Sequence, residues 1–148
     1  MKNTTILLAA LTALFACSSP EEQKTAGTLD VVPHPNEVTV ADGTFNASGA
    51  SVYYGEDLDE RSKALVEKFA NKLFLISEGA GQLISGTSEK GFVFQMDNSL
   101  AHEEYTIDIN SDNVTVKASG LNGFNYAIQT IKQMLPVEIF GTEPASDK

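Results

Sequence analysis

The sequence predicts an α+β fold, a two-layer sandwich in which a small, mostly antiparallel sheet carries two helices packed on one face. Three observations predict it. Residues 57–76 and 121–135 each carry a single apolar stripe at helical spacing. Residues 103–119 alternate apolar and polar side chains around a polar turn, as a hairpin does. Length sets the scale: 148 residues, 42% hydrophobic and 20% charged, suit one domain with its own core rather than two.

The chain opens on a segment outside that fold. "MKNTTILLAALTALFAC" places Lys2 before an apolar run, Ile6 to Phe15, and ends in small residues. The run is far shorter than the roughly 20 residues a membrane-spanning helix needs, and its order of charged, apolar and cleavage regions is that of a secretory signal. Leu14-Phe15-Ala16-Cys17 resembles the lipobox of bacterial lipoproteins. That resemblance implies a signal peptide over 1–16, a diacylglycerol on the Cys17 sulfur, and Cys17 as mature N-terminus. Cys17 is the one cysteine present, so disulfide, metal-thiolate and thiol-nucleophile chemistry are not expected. Residues 17–28 then form a polar, aperiodic tether. Ser18 stands where aspartate would resemble an inner-membrane retention signal. The expected location is therefore the cell envelope, on the outer membrane of a Gram-negative bacterium.

A domain is expected over 29–141, with a polar tail over 142–148. Val31-Val32 and Pro33-His34-Pro35 make an edge or lead-in, because proline is awkward in a central strand. Val38 and Val40 alternate as in a strand, Asp42-Gly43 marks a turn, and a second strand starts at Thr44-Phe45. Val52 to Tyr54 is another short extended piece. Asp57 and Glu60 have the form of a capping box opening the first helix. Its stripe is Ser62, Val66, Phe69, Leu73 and Ile76, with Leu65 beside it, and Gly79 and Gly81 end it. "GAGQLISG" reads as a loop, and "GFVFQMDN" as a strand with Phe92, Phe94 and Met96 on one face. In the hairpin, Tyr105, Ile107 and Ile109 share a face with Val114, Val116 and Ala118 across an Asn110–Asn113 turn. The closing helix aligns Leu121, Phe124, Ile128, Ile131 and Leu135, and Pro136 stops it.

These elements carry little that marks an active site. The net charge of −10 repels phosphate backbones, which argues against nucleic acid as partner. His102 opens "HEEYT", in which Thr106 stands where a zinc-binding H-E-x-x-H has its second histidine. His102 and His34 read as surface residues, and neither a metal nor another cofactor is expected. Asp59-Glu60 is an adjacent acidic pair in a helix's first turn, where the helix dipole explains it. "GAGQLISG" follows a helix, so it lacks the strand that a dinucleotide-binding turn requires. Ser77, Ser85 and Ser88 lie in no G-x-S-x-G frame.

"VVPHPNEVTVADGTF" and "EEYTIDINSDNVTVKASGLNGFNYAIQTIKQMLP" together resemble the N-terminal non-catalytic domain of bacterial β-N-acetylhexosaminidases, the family 20 glycoside hydrolases. In the closing pattern, Glu103 or Glu104, Tyr105, Ala118, Gly120, Gly123, Tyr126, Gln129, Thr130, Gln133, Leu135 and Pro136 match. The resemblance implies a small sheet with two helices, and a (β/α)8 barrel as partner in the full-length family. There the barrel's adjacent Asp-Glu pair hydrolyses terminal N-acetylhexosamine residues from glycans by a substrate-assisted route. Only twelve residues follow Pro136, against roughly 250 in such a barrel. No catalytic residue is assigned, and the expectation is an accessory domain inactive alone. The alternative is a free-standing surface lipoprotein module binding glycan or a protein. Its polar sheet face would carry Thr106, Asp108, Thr115 and Lys117, without tryptophan to stack on a sugar.

Overall fold

The structure, a computed structural model, describes residues 29–41, 43–76 and 81–136. In chain order its elements are β1 (Val52–Tyr54), α1 (Glu60–Ile76), β2 (Leu83–Ser85), β3 (Gly91–Met96), β4 (Tyr105–Ile109), β5 (Asn113–Ala118) and α2 (Leu121–Met134). The strands form one sheet in the order β2-β1-β3-β5-β4. Both helices pack on one face of it through a single core, so the architecture is the two-layer α+β sandwich that the patterns predict.

The pairing of that sheet differs from expectation. Among the described strands, β1 runs parallel to β2 and to β3, β3 runs parallel to β5, and only β4 with β5 is antiparallel. The sheet is mostly parallel. The cause lies in the connections: β1 returns through α1 to its neighbour β2, and a helical crossover delivers the next strand in the same direction. β3 carried a sign of this. Phe92, Val93 and Phe94 are all buried, as in a parallel strand covered on both faces.

"GAGQLISG" is corrected in part, since Leu83–Ser85 is strand β2, with Tyr53 opposite Ile84. From β2 the chain must pass β1 to reach β3. Residues 86–90 make that passage, and the Asn113 side chain at the start of β5 donates to the Glu89 carbonyl at 3.0 Å. Gly91, at φ +81, opens β3 where a Cβ would collide with the Ser51 carbonyl, so a side chain is excluded there.

The N-terminal stretch forms no strand at Val38–Val40 or at Thr44–Phe45. Val38 and Val40 are exposed, so their alternation has no buried face to serve. Phe45 instead sets its ring edge-on against Phe92, centroids 5.2 Å apart. Asp42 and Gly79 lie outside the described residues.

The cap of α1 also moves, from Asp57 to Asp59. Asp59 Oδ1 accepts the amides of Arg61 and Ser62 at 2.9 and 3.1 Å, and Oδ2 accepts the Ser62 hydroxyl at 2.6 Å. Those bonds explain how Ser62 sits fully buried in an apolar stripe. Glu60 does not reach back, and pairs with Lys63 at 3.1 Å. Beyond the cap, Val66, Phe69, Ala70 and Leu73 enter the core as expected.

That core is threaded by aromatic rings. Phe92 meets Phe69 at 5.4 Å, Phe69 meets Phe94 at 5.8 Å, and Phe94 meets Phe124 at 6.2 Å. The series ties α1, β3 and α2 together in tilted and edge-to-face contacts, the geometry that ring quadrupoles favour. Phe124, Ile128 and Ile131 of α2 complete it.

Candidate functional surface

Among the described residues, each that chemistry would recruit has a structural occupation or lies open to solvent; Ser77 lies outside them. His34 and His102 are exposed, and the His34 ring contacts the Pro35 carbonyl at 2.9 Å. The Asp59-Glu60 pair is divided between a helix cap and a surface ion pair. The Ser62 hydroxyl, then the Ser62 amide, hold the Asp59 carboxyl below the ordinary aspartate range. A general acid needs the opposite displacement. Asp97 is likewise held low by the Ser99 hydroxyl and amide, which close a surface turn. Among the described residues no three of His, Cys, Asp and Glu group as metal ligands.

The closing pattern, by contrast, assembles into one joint. The Tyr105 hydroxyl at the start of β4 meets the Thr130 hydroxyl of α2 at 2.8 Å, and Thr130 is buried. Gly123, two turns earlier on the same flank, passes so close to β4 that a Cβ would lie 2.6 Å from the Glu104 carbonyl oxygen and 2.8 Å from the Ala118 Cβ. Of the two acidic candidates, Glu104 has a hydrogen-bond role beside β4. Its Oε2 accepts the Ala101 amide at 2.9 Å and fixes the approach to β4.

Gln133 fastens the other end of α2. Its side chain accepts the Val32 amide at 2.9 Å and donates to the Val32 carbonyl at 3.0 Å, pairing like a strand residue with the incoming chain. Nothing local announces a contact between residues so far apart in sequence. Gly120 precedes α2 without a side-chain cap, and the Leu135 amide closes its end on the Ile131 carbonyl at 3.1 Å. Tyr126, Gln129 and Pro136 are exposed.

The sheet face away from the helices brings Thr106 opposite Lys117 and Asp108 opposite Thr115, as the hairpin register requires. Thr106, Asp108 and Lys117 are exposed and Thr115 is half-buried, so the four form a polar surface open to solvent. No described helix is long and apolar enough to cross a membrane. Cys17, the expected lipidation site, lies outside the described residues.

The joint between β4 and α2 holds a layer together. It brings no acid, base or nucleophile toward a common point. No curated protein matches the chain. The sequence profile of glycosyl hydrolase family 20, domain 2, matches residues 28–144, which include every described element. With most of its length matched, and the closing pattern given a structural role, the chain belongs to the glycosyl hydrolase family 20, domain 2, family.

Proposed function

We propose that this chain is the accessory domain of a β-N-acetylhexosaminidase and hydrolyses no glycan by itself. In this reading a (β/α)8 barrel does the chemistry, with its own Asp-Glu pair acting on terminal N-acetylhexosamine residues. The observation that carries the reading is the family match over residues 28–144. The engagement of Asp59 as a helix cap supports it, because an ionised capping carboxylate has no proton to deliver to a leaving group. The test is an assay of the purified full-length chain on a chromogenic N-acetylglucosaminide. No turnover is expected. Turnover that stays with the chain through successive purification steps overturns the reading.

The domain is further proposed to be lipid-anchored through Cys17 on the outer membrane of a Gram-negative bacterium. The support is sequence alone: the apolar run Ile6–Phe15, the Leu14–Cys17 lipobox pattern and Ser18 after the cysteine. Cys17→Ser should move the protein from the membrane pellet to the soluble fraction of expressing cells. Continued sedimentation with membranes would sink the anchor.

A further inference from the structure

Among the described residues the sheet ends at β4, and the hydrogen-bond pattern shows which of its backbone groups are left over. The Asp97 amide donates to the Ala118 carbonyl at 2.9 Å, so Ala118 directs its backbone groups toward β3. By alternation Lys117 and Thr115 direct theirs toward β4. Their partners Thr106 and Asp108 spend their N–H and C=O on β5. The amides and carbonyls of Tyr105, Ile107 and Ile109 therefore point away from the sheet. Among the described residues no backbone group pairs with them.

From this edge we propose that the chain forms a two-fold dimer by antiparallel pairing of β4 with β4 of a second copy, with Ile107 on the axis. The strand "YTIDI" is self-complementary in that register. Ile107 meets Ile107 and Tyr105 meets Ile109, so every outward amide and carbonyl of the strand finds a partner. Asp108 comes opposite Thr106. Centring the pair on Asp108 would instead set two carboxylates face to face, which is destabilising.

The helix layer fits the same arrangement. A two-fold axis normal to the sheet keeps both helix layers on one side. α2 lies over β4 and β5, so at strand spacings of roughly 4.8 Å the two α2 axes stand about 10 Å apart, a helix-packing distance. The flank of α2 beside Thr130 carries Tyr126, 44% exposed, and β4 ends in Ile109, 45% exposed. A second copy would cover Ile109, and on the α2 flank it would also meet the Val32 chain that Gln133 holds. A strand edge without lysine, proline or bulge is one that other proteins take care to protect.

Disulfide trapping of the full-length chain, in a Cys17→Ser background, tests the register. Ile107→Cys sits on the axis, at a Cα separation a disulfide can span, and should yield a covalent dimer on mild oxidation. Ile109→Cys is at a more exposed position but lies far from its own copy, and should stay monomeric. No dimer with Ile107→Cys, or equal trapping at both positions, overturns the proposal.

A charge exchange gives a readout that leaves the apolar face intact. Thr106→Asp sets a carboxylate against Asp108 of the second copy, while remaining opposite Lys117 in its own sheet. It should weaken dimerisation in sedimentation roughly tenfold, and adding Asp108→Lys should restore it. A wild-type chain that stays monomeric at millimolar concentration, or a dimer indifferent to Thr106→Asp, also overturns it.

Discussion

Phe94→Ala should lower the melting temperature of the domain by roughly 15 °C, the loss of about 3–5 kcal/mol expected for truncating a buried phenylalanine. Phe94 is fully buried at the centre of β3, between Phe69 of α1 and Phe124 of α2. Its removal strips a ring from both helix contacts at once, and neither helix can close the gap without leaving the other. Domains of this size hold about 5–15 kcal/mol in total, so the variant retains a fold but a marginal one. Val32→Ala provides the contrast, because Val32 is 77% exposed and engages Gln133 through its backbone alone. Thermal unfolding followed by circular dichroism checks both. Equal melting temperatures for Phe94→Ala and wild type would mean that the aromatic series is not what joins the layers.

The same residues show what the sequence makes legible. Which side chains meet the core is written in local period: Val66, Phe69 and Leu73 of α1, Phe124, Ile128 and Ile131 of α2, and Ile107, Val114, Val116 and Ala118 of the hairpin face inward as their spacing demands. Which strand neighbours which is not. Alternation in Phe92, Phe94 and Met96 selects a face, yet the same letters serve a parallel or an antiparallel neighbour. Only Val93, buried on the opposite side, hints at the former. β2 is three residues flanked by glycines, too short for a period to show, and it exists because β1 offers it an edge. The Val38–Val40 alternation errs the other way, as a local preference for strand without a buried surface to fill.

The candidate surface divides along the same line. The closing pattern singles out Tyr105, Gly123, Thr130 and Gln133, but not what each touches. Tyr105 meets Thr130 across a sheet-to-helix gap, and Gln133 meets Val32 from the far end of the domain. Such contacts depend on where α2 lands, which local sequence does not encode. The cap of α1 fails by a smaller margin. Asp57 and Asp59 both precede the apolar stripe, and the choice falls to Asp59 because Ser62 becomes buried and needs its carboxylate.

Gly123→Ala should destabilise the domain by roughly 2 kcal/mol, although alanine is the better helix former by about 1 kcal/mol. The sign rests on what surrounds the missing Cβ. It would lie 2.6 Å from a backbone oxygen, that of Glu104, which cannot rotate away as a side chain can. The remaining relief is to lift α2 off β4. Two turns along the same flank, the Tyr105–Thr130 hydrogen bond opposes that movement, and breaking it leaves the buried Thr130 hydroxyl unpaired at a cost of about 1–3 kcal/mol. Gly120→Ala is the control, since nothing lies within 4 Å of a Cβ there and its backbone is extended. The two sites of the joint should therefore couple. In a Thr130→Val background the restraint is already gone, α2 is free to shift, and Gly123→Ala should cost less than it does in the wild-type chain. Chemical unfolding of the four proteins in that cycle measures the difference. Strict additivity would show that α2 yields at Gly123 without disturbing Thr130, and that the joint is two contacts rather than one.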